Sequence, residues 1–104
     1  MRGMIFRFAQ ARMEKDKVLV TGYFTATDDN EKELIQIMIE EIANIPSYSN
    51  KLVSNGKTLL VKSGEALILK EMLGYICENL DIELQYKINN NFIGDKELIH
   101  KYFG

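Results

Sequence analysis

The sequence predicts a single α+β domain that covers residues 1–104 and folds as a two-layer sandwich of helices on a sheet. The chain has 104 residues, a length that suits one domain. Apolar residues make up 46% of it and charged residues 27%, as in globular proteins. Strand-like and helix-like patterns also follow one another along the chain, in the order β-β-α-β-β-α-β-α.

The first two elements are strands that form a hairpin. Residues 4–13 and 17–27 are rich in β-branched and aromatic side chains. The charged stretch 14–17 between them is the predicted turn. It contains neither Gly nor Asn, so the pattern leaves the register open by one residue, and such a slip exchanges the two faces of the hairpin.

Helix one is predicted over Glu31–Asn44, where apolar residues recur at helical spacing. Asp28 and Glu31 have the spacing of a capping box that begins the helix. Pro46 ends it, because proline lacks the amide donor of a helix interior and disfavours helix at the residue before it.

The second hairpin is predicted around Asn55-Gly56. These residues accept the two positive φ angles of a type I′ turn, and they lie between the strand-like segments Lys51–Ser54 and Lys57–Val61. A two-residue hairpin loop is therefore expected.

The last three elements are a helix, a strand and a short helix. Ser63 is the predicted N-cap of helix two, over roughly Gly64–Asn79. The last strand is predicted over Ile82–Ile88, where apolar and polar residues alternate, and an asparagine-rich loop follows it. Asp95 caps the final helix, which runs to about residue 103.

Without its first strand and last helix, this order is β-α-β-β-α-β, the split βαβ pattern of ferredoxin-like folds. The prediction is therefore a ferredoxin-like core with an extra N-terminal strand and a short C-terminal helix. Both long helices are expected on one face of a mostly antiparallel sheet, whose other face meets water.

The two long helices carry more apolar surface than one sheet needs. Apolar residues span roughly 200° of helix one, whereas a helix on a sheet needs a stripe a little over 100° wide. Either the helices bury each other's flanks, or part of the excess contacts another chain. The first hairpin also has apolar groups on both faces, which the last helix or a second copy of the protein is expected to cover. The candidate interface residues are Phe6, Phe8, Tyr23, Ile37, Ile39, Ile68 and Tyr75.

No catalytic or metal-binding constellation is recognisable, so neither an enzyme nor a cofactor is predicted. Cys77 is the only cysteine and His100 the only histidine, which excludes an intramolecular disulfide and a structural zinc site. Cys77 lies on the apolar arc of helix two, where a core position is expected. His100 lies near the C-terminus, where a solvated position is expected.

One candidate anion site stands out, at Lys62, Ser63 and Gly64. Free amides at a helix start, a hydroxyl and a lysine can hold a phosphate or carboxylate, although a plain N-cap explains the same residues. The stretch 56–58, followed by Lys62-Ser63, locally resembles the phosphocarrier proteins of sugar-transport systems, which carry a regulatory serine in a Lys-Ser context. Their phosphorylated histidine opens helix one, where this chain has residues 27–30 without a histidine, so the resemblance implies no phosphocarrier activity.

The charge balance limits the kinds of partner that the chain is expected to bind, and other features of the sequence indicate its location in the cell. The net charge is −2, with +3 in residues 1–27 and −5 in the remainder. An acidic chain has no overall attraction to nucleic acid or to an anionic membrane. The apolar runs are too short for a membrane span, the start does not resemble a signal peptide, and a single cysteine fits a reducing compartment. A cytoplasmic location is therefore expected.

Three functions follow from these observations. The first is a non-catalytic protein–protein interaction module, acting as an adaptor, regulator or inhibitor and forming a homodimer. The second is binding of single-stranded nucleic acid on the open sheet face, through Arg7, Arg12, Lys17 and Tyr23. The third is a small-ligand or anion binder at Lys62-Ser63-Gly64, or an enzyme that uses carboxylates alone.

Overall fold

The computed structural model describes residues 2–104 and confirms an α+β fold with a five-stranded mixed sheet and three helices. The strands are β1 (Arg2–Glu14), β2 (Lys17–Thr25), β3 (Leu52–Ser54), β4 (Thr58–Glu65) and β5 (Ile82–Gly94). The helices are α1 (Asp29–Ala43), α2 (Ala66–Asn79) and α3 (Lys96–Phe103). Their order along the chain is the predicted one.

The strands lie in the order β3-β4-β2-β1-β5 across the sheet. β1 pairs with β2, β2 with β4 and β3 with β4 in antiparallel fashion, whereas β1 and β5 are parallel. The sheet is therefore mostly antiparallel, as predicted. The extra N-terminal strand lies inside the sheet, between β2 and β5.

One face of the sheet, the inner face, carries the core. Its buried side chains belong to one cluster with the buried residues of α1 and α2. Helix α3 packs on the same face, because the Phe103 ring lies 4.6 Å from the ring of Phe8 and 4.9 Å from that of Tyr86, measured between centroids. The buried apolar side chains that the sheet contributes are those of Met4, Phe6, Phe8, Ala11, Val18, Val20, Phe24, Leu59, Val61 and Ile82.

The predicted caps of the first and last helices are confirmed. The Asp28 side chain accepts a hydrogen bond of 2.8 Å from the Glu31 amide, and the Asp95 side chain accepts one of 2.9 Å from the Glu97 amide. The Glu31 carboxylate in turn accepts from the amide of Thr27 at 3.0 Å, one residue before the cap. Both helices therefore begin where short polar side chains can satisfy their free amides.

The predicted type I′ turn at Asn55-Gly56 is wrong, although the hairpin itself forms. Gly56 has a positive φ of 88°, but Asn55 is not among the residues with positive φ. The Asn55 side chain instead accepts hydrogen bonds from the amides of Lys57 and Thr58. This local bonding widens the loop, so that Ser54 pairs with Leu59 across the hairpin.

Helix two begins later than predicted, and Ser63 does not cap it. β4 continues through Glu65, which pairs with Leu19 of β2, and α2 begins at Ala66 without a side-chain cap. Ser63 has a positive φ of 48°, and its amide donates to the Thr21 hydroxyl at 3.1 Å. Pairing with β2 therefore holds residues 62–65 in the sheet.

The last strand is longer than its alternating segment. β5 pairs with β1 up to Ile88, then bulges over residues 89–92, and pairs again where Ile93 lies opposite Gln10 and Gly94 opposite Ala11. The predicted loop at 89–91 is thus a bulge inside a continuing strand.

Candidate interaction surface

The sheet face opposite the helices, the outer face, has no cover within residues 2–104. Side chains alternate between the two faces along each strand. In β2, Val18, Val20 and Phe24 are buried in the core, so Leu19 and Tyr23 point to the outer face. The last helix does not cover this face, because Phe103 packs on the inner one.

A row of five side chains crosses the outer face in register, one from each strand. Val53 pairs with Leu60, Leu60 with Tyr23, Tyr23 with Arg7, and Arg7 with Lys87. We call this set the cross-strand row. With neighbouring strands about 4.8 Å apart, it runs for about 19 Å.

The side chains of the cross-strand row are only partly covered. Leu60, Tyr23 and Arg7 are half-buried, while Val53 and Lys87 are exposed. Further apolar side chains flank the row on the same face, namely Ile5 and Leu19, which are half-buried, and Ile93, which is 67% exposed. The outer face is therefore a mixed apolar and charged surface rather than the polar surface that a sheet usually presents to water.

The two sides of the molecule differ in charge. Arg7, Arg12 and Lys87 lie on the outer face, whereas the segment from Asp28 to Asn44 carries six acidic residues and one lysine. Arg12 pairs with Glu14 at 2.9 Å, and this ion pair is exposed and contributes little. The outer face also carries Glu65, opposite Leu19, and Glu83, so it holds charges of both signs, whereas α1 is strongly acidic.

A shallow hollow of about 300 Å³ opens beside the cross-strand row. It lies where the start of β1 and the end of β2 diverge, and its lining includes Ile5, Arg7, Tyr23, Thr25 and Glu31. This volume is at the lower end of the range for small-molecule sites. The hollow adds a concave end to an otherwise flat surface.

Two of the predicted interface residues are core residues. Phe6 and Phe8 are 0% exposed and pack edge to face with their ring centroids 5.3 Å apart. They are therefore corrected to core positions, because β1 turns both side chains to the inner face. Tyr23 points to the outer face. This corresponds to one of the two hairpin registers that the sequence left open.

The four predicted interface residues on the helices do not join Tyr23 in one surface. Ile39 is half-buried, and Ile37 is 40% exposed on α1. Ile68 and Tyr75, which are 45% and 67% exposed, lie two turns apart on α2. All four are on the helical side of the sheet, and isolated exposed apolar side chains of this kind are normal on protein surfaces.

The candidate anion site lacks the helix-start amides on which it was predicted. Lys62, Ser63 and Gly64 belong to β4, and the Ser63 amide already has the Thr21 hydroxyl as its acceptor. Gly64 is buried, and a Cβ there would lie 2.9 Å from the Tyr48 ring. Only Lys62 is exposed among the three.

The groups that could carry chemistry are separated. Cys77 is buried at 2% exposure, as predicted, and burial raises the pKa of its thiol to about 11. His100 is exposed on the last turn of α3. Within residues 2–104, no three His, Cys, Asp or Glu side chains are grouped so that they could hold a metal ion. No helix in the described part of the chain combines the length and apolar character needed to cross a membrane.

Sequence reasoning missed Val53, Leu60 and Lys87 as members of the surface. Their strands were predicted, but the pairing between strands that are distant in sequence was not. The alternation of side chains along the second hairpin could have predicted the face of two of them. Val53 and Leu60 lie between residues that point inward, and therefore point outward.

In a scan against protein-family models and in searches of curated proteins and of solved structures, nothing matched this chain.

Proposed function

We propose that this chain is a non-catalytic protein–protein interaction module that recognises a protein partner through the outer face and self-associates as a homodimer. Such a module acts as an adaptor, regulator or inhibitor. The cross-strand row carries the proposal, because it places apolar, aromatic and basic side chains side by side on a face without an intramolecular cover.

The chemistry of this surface indicates the kind of partner. Tyrosine and arginine are enriched at the energetic centres of protein interfaces, and Tyr23 and Arg7 are neighbours here. Leu60 and Val53 extend the apolar part of the row, and Lys87 ends it with a positive charge. A complementary partner therefore presents an apolar patch with a carboxylate opposite Arg7.

We also propose the finer architecture that was predicted from the sequence, a two-layer sandwich with a ferredoxin-like core. With β1 set aside, the sheet order becomes β3-β4-β2-β5. In this order β4 lies between β2 and β3, which α1 connects, and β2 lies between β4 and β5, which α2 connects. These are two split βαβ units. A cytoplasmic location belongs to the same proposal and fits the single buried thiol.

The proposal is tested with the partner recovered from the organism of origin. Tyr23→Ala and Arg7→Glu are expected to weaken its binding by at least about tenfold in calorimetry, since each removes a central side chain of the row. Gln36→Glu, an exposed change on α1, is the control and leaves binding unchanged. Wild-type affinity of both row variants, with their circular dichroism intact, contradicts the proposal.

Binding of single-stranded nucleic acid is the second candidate for the same face. The adjacency of Tyr23, Arg7 and Lys87 favours it, because aromatic stacking beside cations is how such strands are held. The net charge of −2 and the exposed Glu83 on the same face oppose it. Fluorescence anisotropy with oligonucleotides decides: salt-dependent binding that Arg7→Gln weakens supports this candidate, and its absence removes it.

A further inference from the structure

The free edge of β5 is the longest unpaired strand edge in the described part of the chain. β5 is the last strand of the sheet and pairs only with β1, so its other edge has no strand partner. The opposite edge of the sheet is β3, which has only three residues. An open edge presents unpaired backbone donors and acceptors, and a second strand can satisfy them. The regular part, Ile82–Ile88, is about 20 Å long.

The side chains of this segment are arranged symmetrically about Gln85. Glu83 and Lys87 lie two residues to either side of it, and all three are exposed on the outer face. On the inner face, Leu84 and Tyr86 lie one residue to either side and are half-buried. If a second copy of the segment runs antiparallel to the first about a two-fold axis through Gln85, each residue therefore faces one of complementary character. The acidic position 83 faces the basic position 87, and the apolar position 84 faces the aromatic position 86.

We propose that two copies of this chain pair through β5 in an antiparallel, two-fold symmetric dimer centred on Gln85. This inference deepens the proposed function and rests on its statement that the chain self-associates. In this register Glu83 lies opposite Lys87 of the second copy, and the symmetry axis produces that ion pair twice. Leu84 lies opposite Tyr86 of the second copy, and the two Gln85 side chains are adjacent.

The charges select this register over its neighbours. Moving the axis by one residue to Leu84 places Glu83 opposite Gln85, and moving it to Tyr86 places Gln85 opposite Lys87. Both shifts lose the two Glu83–Lys87 pairs. The shift to Leu84 brings Lys87 opposite Asp81 instead, but Asp81 is a turn residue with a positive φ of 54° that precedes the strand, so it does not pair as a strand residue. Charged side chains on an edge often prevent strand addition, but here opposite charges four residues apart attract in the antiparallel arrangement.

The dimer has two structural consequences. Ten strands form one continuous sheet, five from each copy, with all helices on the same face. The cross-strand row of each copy then ends at the dimer contact, because Lys87 is both its last member and the partner of Glu83 of the second copy. Two outer faces thus become one surface of about twice the width.

Charge reversal on the full chain tests the pairing. Glu83→Lys and Lys87→Glu each replace two attractions with two repulsions and are expected to raise the dimer dissociation constant, measured by sedimentation velocity, at least about tenfold. The double variant Glu83→Lys/Lys87→Glu restores the attractions and returns the constant to near the wild-type value. Lys57→Glu, an exposed reversal in the loop between β3 and β4 at the opposite edge of the sheet, is the matched control and leaves it unchanged.

A cysteine at the symmetry axis tests the register. In a Cys77→Ser background, Gln85→Cys is expected to form a disulfide-linked dimer on mild oxidation, because the two positions are adjacent. Glu83→Cys is the control and stays uncrosslinked, since the two positions 83 lie on opposite sides of the axis.

Three results overturn the edge pairing. The first is a wild-type chain that stays monomeric at millimolar concentration. The second is a dimer whose dissociation constant is unchanged by both single charge reversals, and the third is equal crosslinking at positions 83 and 85. The second result leaves self-association standing through another surface, and the first removes it. Partner binding is measured separately on the Tyr23 and Arg7 variants, so failure of the edge and failure of the outer face are distinguishable.

Discussion

Gly22 leaves room for the buried ring of Phe6, which lies directly over it on the inner face of the sheet. Phe6 is fully buried, and its ring centroid lies 5.1 Å from that of Phe24. A Cβ at position 22 would overlap the Phe6 ring and lie 2.8 Å from the Arg7 carbonyl oxygen. Because the carbonyl belongs to a paired strand, it cannot move aside without disturbing the ladder between β1 and β2.

Gly22→Ala is therefore expected to lower the free energy of unfolding by about 1–3 kcal/mol, the usual cost of overpacking a core. Urea denaturation measures it. The matched control is Gly74→Ala in α2, where a Cβ meets nothing within 4 Å. That change is expected to raise the free energy of unfolding by about 0.5–1 kcal/mol, because Ala favours a helix interior. Equal stability of both variants would refute this account of Gly22.

Burial of the Cys77 thiol makes stability depend on pH in the alkaline range. The pKa is raised to about 11 from an ordinary value of 9.0, so the unfolded chain loses its proton first as pH rises. Stability is therefore full below pH 9 and falls between pH 9 and 11, by about 2–3 kcal/mol at most. Tyr48 and Tyr86, whose pKa values burial raises to about 12, act in the same direction at higher pH.

Urea denaturation of the wild type and of Cys77→Ala at several pH values between 8 and 11 checks this expectation. The variant starts from a lower stability, because it leaves a cavity, but its stability falls less steeply above pH 9. Parallel curves for the two proteins would show that the thiol does not contribute to the slope.

At the scale of elements, α1 carries negative charge at both ends. Asp29 and Glu31 lie in the first turn, where they favour the helix dipole, but Glu40 and Glu41 lie in the last turn, which has no basic residue. Glu41→Gln is therefore expected to raise the free energy of unfolding by about 0.3–1 kcal/mol at low salt. Glu33→Gln, in the helix interior, is the control with a smaller effect. A gain at Glu41 that persists unchanged in 1 M salt would exclude the electrostatic explanation.

Elements with strong local patterns were predictable from the sequence. Caps at Asp28 and Asp95 are confirmed because a short side chain and the amides it satisfies lie within three residues of each other. The strands of both hairpins and the two long helices follow from periodicity in the same way.

Element boundaries set by distant partners were not predictable. Ser63 has the residue type of an N-cap, yet pairing with β2 keeps its segment in the sheet. β5 continues past its alternating part because β1 extends beside it and pairs with Ile93 and Gly94. Asn55 differs from these cases, because there a local side chain rather than a distant strand replaced the expected turn. In each case a competing hydrogen bond decided the outcome.

At the scale of the whole molecule, the faces depend on the order of the strands. The sequence left the register of the first hairpin open, so it grouped Phe6 and Phe8 with Tyr23, although they lie on opposite faces. Leu60 and Lys87 join Tyr23 and Arg7 only through pairing between strands distant in sequence. The candidate surface therefore required the fold, whereas its apolar and basic character was already visible in the first hairpin.

The most direct measurement of the central claim is photo-crosslinking from the surface itself. A benzophenone amino acid is introduced at Leu60, in the cross-strand row, and in a second protein at Gln36, on the exposed side of α1. In cells of the organism of origin, position 60 is predicted to capture one defined protein, and position 36 is predicted to capture none. Equal labelling from both positions, or capture from position 36 alone, would contradict the claim that this protein acts through its uncovered sheet face.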